Sequence, residues 1–489
     1  MPVRNKVQLI TYGDSLGGSL RALDQALETY FPGVFEGGIH ILPPFPSSGD
    51  RGVAPMTYEA IDPALGSWDD VSRLADRYDL VLDLMVNHIS SRSPAFLDYL
   101  ARGRSSVWAD MFLQIDKLWP GGEPVQRDID LIFTRRPRPY STYRVGRPGV
   151  DQRLWTTFGR EDPSEQVDLD VHSAPFRRLV SDAIERFASP GATIMRLDAI
   201  GYVIKRPGTS CFFVEPDIYG FLEGINAVAS AHGMTLLPEV HARRAIQDRL
   251  GEHGYWTYDF ILPYTVLEAL LIGSAVRLRP YLETRSPRQF TMLDCHDGIP
   301  VKPDLDGLYA PADVRRVVQA CVDRGGNLSR VFSTAHQDPD GFDVHQVRGT
   351  TFSLLDHDED AYIAARAIQL FVPGVPQVYY VGLLAGENDQ EAVTRTGDGR
   401  AVNRHNFTMD EIEKAARRDV VRRLVDLIRL RNGHPAFDGE FRVLDSAGSR
   451  LHLSWANGAD TCTLEVDLVA FRCRVESTRS GGQAESFDL

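Results

Sequence analysis

The feature that most constrains this chain is its alternation of short apolar, β-rich segments with longer amphipathic stretches. That alternation is the pattern of βα units around a parallel sheet. Eight segments read as strands: Val7–Tyr12, Gly38–Leu42, Leu80–Val86, Thr193–Leu197, Leu236–Val240, Tyr258–Leu262, Phe290–Leu293 and Val375–Tyr380. Strands covered on both faces read as near-continuous apolar runs, as these do. Eight such units predict an α/β fold, a (β/α)8 TIM barrel, which with insertions accommodates most of the 489 residues.

Uneven strand spacing marks the insertions. The barrel is expected over residues 1–88, 169–297 and 361–436. Residues 89–168, rich in Arg, Pro, Gly and aromatics, far exceed what one βα connection needs and read as an inserted domain. A second inserted loop domain is expected over 298–360, where Asp338-Pro339-Asp340-Gly341-Phe342-Asp343 is typical. A helix is expected from Asp410 to Arg431. Beyond Phe437 the pattern turns to period two, as in Arg450–Trp455 and Thr461–Val466, so 437–489 is expected to be an antiparallel β-domain whose end frays after Ser477.

Composition narrows the partners. With 67 acidic against 53 basic residues the net charge is −14, which argues against a nucleic-acid or anionic-lipid face and leaves any anionic ligand to a local cluster of arginines. Cys211, Cys295, Cys321, Cys462 and Cys473 are widely spaced with no Cys-x-x-Cys pair, so neither a disulfide framework nor a zinc site is expected. Reduced thiols, no signal-like N-terminus and no run of about 18 apolar residues predict a cytoplasmic protein without a membrane segment.

In a barrel of this kind the chemistry gathers where strands end and βα loops begin. Four strand ends finish in ionisable residues: Asp83-Leu84-Met85-Val86-Asn87-His88, Met195-Arg196-Leu197-Asp198, Leu237-Pro238-Glu239-Val240-His241 and Leu293-Asp294-Cys295-His296-Asp297. One such end alone means little, because buried Asp and His often only satisfy backbone groups. Four in order resemble the α-amylase superfamily of retaining glycosidases and transglycosidases over nearly the whole chain. The resemblance implies Asp198 as nucleophile, Glu239 as general acid/base and Asp297 as the carboxylate that stabilises the transition state. It also implies that Arg196 keeps Asp198 ionised and that His88 and His296 bind the donor sugar.

The chemistry requires such a set. Cleaving an α-glycosidic bond with retention takes a carboxylate that attacks the anomeric carbon and a carboxylic acid about 5–5.5 Å away that protonates the leaving oxygen. Arg196 lies two residues before Asp198 on one strand, hence on the same face, and favours the carboxylate.

Further segments are similar to the sucrose phosphorylase subfamily: Gln8–Asp14, Gly38–Pro43, Leu65–Asp70, Gly208–Phe212, Pro373–Gly382 and Gly399–His405. That resemblance implies phosphorolysis of an α-glucoside, with inorganic phosphate as co-substrate and no cofactor or metal, and a monomer or homodimer. No dense oxygen-ligand loop of the kind calcium requires is evident. The resemblance places Asp50 and Arg400 on the far hydroxyls of the glucosyl unit, and Phe158 and Gln166 beside it. The subfamily's aromatic after Asp50 is missing, since the stretch reads Asp50-Arg51-Gly52-Val53.

Acceptor choice is expected to lie in the insertion loops. Asp343-Val344-His345-Gln346 carries His where the subfamily usually has Tyr, and Thr134-Arg135-Arg136-Pro137-Arg138 carries an extra Arg. Both departures resemble the branch acting on sucrose phosphorylated on its fructosyl unit. Arg135 is suited to forked hydrogen bonds to a phosphate, with His345 as a further donor and Asp343 and Gln346 beside it. The alternative for Arg135 and Arg136 is a solvated loop face. Unphosphorylated sucrose, glucosylglycerate and glucosylglycerol are the rival substrates, and a carboxylate acceptor would also suit Arg135. Hydrolysis or glucan transglycosylation would use the same three carboxylates, and a non-catalytic barrel would not need them.

Overall fold

The computed structural model describes residues 3–331 and 341–489, the side chain of Asp50 excepted. Asp338, Pro339 and Asp340 of the second insertion therefore lie outside the described residues. The chain divides into two compact units: Ile41–Val240 with the described part of Arg330–Asp343, and Val3–His40 with His241–Ser329 and Val344–Leu489.

Eight short strands belong to one parallel sheet: β1 (Gln8–Thr11), β2 (Gly38–Ile41), β3 (Leu80–Met85), β4 (Ala192–Asp198), β5 (Thr235–Pro238), β6 (Thr257–Asp259), β7 (Gln289–Thr291) and β8 (Val375–Tyr379). The fold is the expected (β/α)8 barrel with a C-terminal antiparallel sheet. In the first unit β3 pairs with β4 and β4 with β5, setting Asp83 opposite Arg196, Met85 opposite Asp198 and Leu197 opposite Pro238. In the second unit β6, β7, β8 and β1 pair in that order, with Tyr258 opposite Phe290, Phe290 opposite Val375 and Gln8 opposite Gln377. All six residues of β3 are buried, as a strand covered on both faces requires.

Seven of the eight expected strands overrun by one to three residues, and two of them run into helices. The segment expected over Tyr258–Leu262 stops at Asp259, because Asp259 Oδ1 accepts from the amides of Ile261 and Leu262 and caps the helix Leu262–Ile272. Tyr380 leaves β8 to open the short helix Tyr380–Leu383. The helix expected over Asp410–Arg431 is two helices, Met409–Ala416 and Asp419–Gly433. Arg418 between them is extended (φ −66°, ψ 143°), and its guanidinium donates to the carbonyls of Leu384 and Ala385. That tertiary anchor overrides the helical periodicity.

The first insertion is stapled at its base by an antiparallel pair, His88–Ser90 with Gln166–Asp168, and carries the hairpin Tyr140–Val145 with Val150–Trp155. In the second, Val344–Arg348 runs antiparallel to Ile299–Pro300. His345 and Gln346 are thus strand residues rather than loop residues, because Gln346 pairs with Pro300 and Val347 with Ile299. The C-terminal sheet has five antiparallel strands in chain order, from Glu440–Leu444 to Glu485–Asp488. The expected fraying after Ser477 does not occur: Ser477 pairs with Glu485 and Arg474 with Asp488, and Leu489 donates its amide to Cys473. Among the described residues no helix is long and apolar enough to cross a membrane.

Candidate active site

Strand register assembles the first cluster. Arg196 and Asp198 share one face of β4, and Asp83 stands opposite Arg196 on β3. Glu239 follows β5 directly and donates its amide to Leu197 O at 3.0 Å, which brings it level with Asp198. Arg196, 4% exposed at its side chain, donates through Nη1 to Asp83 Oδ1 (2.8 Å) and Asp198 Oδ1 (2.9 Å), while Nη2 lies 3.6 Å from Glu239 Oε1. At the end of β4 Ala199 turns left-handed (φ 53°, ψ 29°), and its amide donates to Glu239 Oε2 at 3.1 Å.

Three carboxylates, those of Asp83 and Glu239 buried and that of Asp198 partly so, thus surround one guanidinium. Burial raises the Asp198 pKa, Arg196 opposes the shift, and the negative charges of Glu239 and Asp83 add to it, leaving Asp198 pushed up to about 7. Arg196 favours the Asp198 carboxylate against burial and two neighbouring anions that favour its protonation. Retaining glycosidic chemistry uses one carboxylate and one carboxylic acid.

His88 opens the strand after β3 and is buried. Its Nε2 donates to Val53 O at 2.8 Å, its Nδ1 lies 3.3 Å from Asn87 Nδ2, and its ring sits 5.3 Å from that of Phe158. Burial lowers its pKa, with the nearby Asp168 carboxylate working in the opposite direction. Phe158 also meets Tyr202 edge-on at 5.0 Å, and Gln166 is buried on the strand facing Ser90. The stretch after Asp50 turns sharply, with Arg51 left-handed (φ 49°). Gly52 sits where a Cβ would lie 2.4 Å from Pro43 O.

The Arg135–Arg136 pair divides by role. Arg135 is half-buried and lines a small cleft together with Phe133, Thr134, Trp155, Thr157, Tyr202 and Cys211. Arg136 is buried and donates to the carbonyls of Phe158 (3.2 Å) and Glu161 (2.8 Å). It anchors the segment bearing Phe158, which corrects the alternative of a solvated face for Arg136. Asp343 is ion-paired with Arg330 at 2.5 Å.

In the second unit Asp297 is ringed by cations. Arg400 Nε lies 3.4 Å from Oδ1, Arg404 Nη2 3.8 Å from Oδ1 and His296 Nε2 3.8 Å from Oδ2. Burial alone would raise its pKa, but Arg400, His296, Arg404 and His241 together hold it well below the usual carboxylate range. Asn403 fixes this turn by donating to the carbonyls of Cys295 and Asp297. His345 is 1% exposed, its Nδ1 lies 2.5 Å from Lys302 O, and its ring meets that of His241 at 5.9 Å. Gln346 beside it is buried.

Sequence reasoning missed three contributors. Arg404 beside Asp297 stands four residues after Arg400, a spacing that signals a second cation near the same turn. Asp83 was read as a strand-end residue, and only the β3–β4 register reveals it as the second partner of Arg196. Lys205 had no local signal, because its partners Asn87 and Asp168 are remote in sequence.

No family model matches the sequence. The chain is 52% identical over 483 residues, 99% of each chain, to a sucrose 6(F)-phosphate phosphorylase from Thermoanaerobacterium thermosaccharolyticum. It is 41% identical over 443 residues to a sucrose phosphorylase from Streptococcus mutans, covering 91% of this chain and 90% of the relative. A crystal structure of sucrose 6F-phosphate phosphorylase from Thermoanaerobacter thermosaccharolyticum superposes with a TM-score of 0.98 at 52% identity, covering 100% of this chain and 99% of that one. The expected kinship is thereby established: the chain is an enzyme that belongs to the sucrose phosphorylase family, glycoside phosphorylases of the α-amylase superfamily.

Proposed function

We propose that the enzyme cleaves sucrose 6(F)-phosphate with inorganic phosphate, giving α-D-glucose 1-phosphate and fructose 6-phosphate with net retention. The observation that carries this reading is the 52% identity, over 99% of each chain, to a protein that bears that name. The histidine at 345 and the half-buried arginine at 135 support it, since a phosphorylated leaving group calls for added donors.

In the first step the Asp198 carboxylate attacks the anomeric carbon, the bond to the fructosyl oxygen breaks, and Glu239 gives that oxygen its proton. In the second, phosphate attacks the same carbon, its proton passes to Glu239 and the bond to Asp198 breaks. Asp297 serves as the third carboxylate. Held ionised by its arginines, it suits the positive charge that develops at the anomeric centre. To binding of the glucosyl unit we assign Asp50, His88, Phe158, Gln166, Arg196, His296 and Arg400, and to binding of the acceptor Arg135, Asp343, His345 and Gln346. Phosphate and sugar are the only small molecules required, without metal or cofactor, and the reaction belongs in the cytoplasm. Residues 89–168 and 298–360 act as the two inserted domains that carry acceptor choice.

Product analysis in phosphate buffer with sucrose 6(F)-phosphate, sucrose, glucosylglycerate and glucosylglycerol tests the reading. Glucose 1-phosphate formed fastest from the phosphorylated sugar is expected. Release of free glucose, or equal kcat/KM on sucrose, overturns it.

A further inference from the structure

The Lys205 ammonium sits where three segments meet: the end of β3, the return strand of the first insertion, and the stretch leading to Phe158. Its side chain is 2% exposed, with Nζ 2.5 Å from Asn87 Oδ1, 2.6 Å from Asp168 Oδ2 and 5.7 Å from the centre of the Trp155 ring. An ammonium only donates, so the oxygen of the Asn87 amide must face it. The amide nitrogen is thereby turned the other way, toward Asp168 Oδ2 at 3.0 Å and His88 Nδ1 at 3.3 Å. An amide NH2 also only donates, so His88 Nδ1 accepts, and the ring proton sits on Nε2, where it is given to Val53 O at 2.8 Å. On the other side Asp168 accepts from the amide of Thr157 at 2.8 Å and from its hydroxyl, one residue before Phe158.

We infer that Lys205 is a positioning residue for the glucosyl subsite: a built-in cation that sets the tautomer and ring plane of His88 through Asn87, and the placement of Phe158 through Asp168 and Thr157. Lys205 reaches both subsite residues only through these partners. The inference rests on the assignment of His88 and Phe158 to that subsite. An ion pair that merely braces the insertion would change stability and leave substrate affinity and the histidine proton untouched.

The charged groups that act on His88 are Asp168, Lys205 and Glu165. Burial and the ammonium of Lys205 both disfavour its protonation. Lys205→Met is expected to raise KM for the glucosyl donor about tenfold or more while kcat falls less, since small misplacements of binding groups are costly. It is also expected to move the acid limb of kcat/KM to higher pH, because His88 then protonates more readily. Lys205→Met leaves Asp168 buried without its cation, so the Lys205→Met/Asp168→Asn double variant, which leaves neither charge alone, is measured as well. The same rise in KM is expected there. In the wild-type enzyme, ¹⁵N-histidine spectra should show His88 neutral with its proton on Nε2.

A folded single or double variant with KM within about twofold of wild type overturns the inference. So does a wild-type spectrum with the proton on Nδ1, which decides the matter even if neither variant folds. His88→Asn with unchanged KM would instead sink the subsite assignment, and the spectra still report separately whether Lys205 controls the ring.

Discussion

His345 Nδ1 donates to the carbonyl oxygen of Lys302 at 2.5 Å. A carbonyl only accepts, so the neutral ring carries its proton on Nδ1 and presents a lone pair at Nε2. Giving a hydrogen bond to a sugar phosphate from Nε2 therefore requires the imidazolium. His345→Tyr should lower the preference for sucrose 6(F)-phosphate over sucrose, because a phenol hydroxyl does not bring the positive charge of an imidazolium. Paired kcat/KM values for the two sugars in wild type and variant measure this. An unchanged ratio in the variant would exclude His345 as a phosphate donor.

The division of labour between Arg135 and Arg136 separates affinity from stability. Arg135→Ala removes a charge-assisted bond worth about 1.5–3 kcal/mol, so KM for the phosphorylated sugar should rise about 10- to 100-fold while KM for sucrose changes little. Arg136→Ala leaves the Glu161 carbonyl without its donor and the Phe158 carbonyl with Ser164 Oγ in place of two donors. It should lower Tm and impair both sugars alike. Steady-state kinetics with a thermal melt for each variant distinguish the two patterns.

Asp198 carries its ionisation at a cost to the fold. Its pKa is raised to about 7, so the folded state binds a proton more tightly than the unfolded chain, and stability is lost as pH rises from about 4 to 7. Asp198→Asn removes that cost and leaves Arg196 paired with Asp83. The variant should be inactive yet melt a few degrees above wild type at about pH 8, with the gap closing toward pH 5. Calorimetry at the two pH values checks this, and a lower Tm at pH 8 would count against it.

Asp297 should behave oppositely. Its pKa is depressed, so its contribution to stability is present above the ordinary carboxylate range and lost as pH falls through the folded value. Asp297→Asn strips Arg400 and Arg404 of an anionic neighbour and should lower Tm at pH 7, with the deficit shrinking below about pH 4. Glucosyl transfer should fall by orders of magnitude in both aspartate variants.

Much of this was legible from local pattern. β3 and β4 announce themselves as apolar runs with few polar interruptions, and the two-residue spacing of Arg196 and Asp198 already puts them on one face. What pattern could not supply was set by distant backbone. The helix start at Leu262 depends on Asp259 turning back to cap it, and the break before Asp419 depends on carbonyls more than thirty residues upstream of Arg418. The raised pKa of Asp198 escaped for the same reason: Asp83 joins the site through strand register, and the two-residue rule sees only one strand. Arg136 looks identical to Arg135 in sequence until the Phe158 and Glu161 carbonyls are placed.

The left-handed turn at Ala199 aims a main-chain amide at Glu239 Oε2. The orientation of the presumed acid is thus written partly in a group that every amino acid except proline possesses. Side-chain scanning of the loop will pass over this donor, since replacing Ala199 by serine or glycine retains the N–H. Swapping the peptide link for an ester by chemical semisynthesis is the substitution that reaches it.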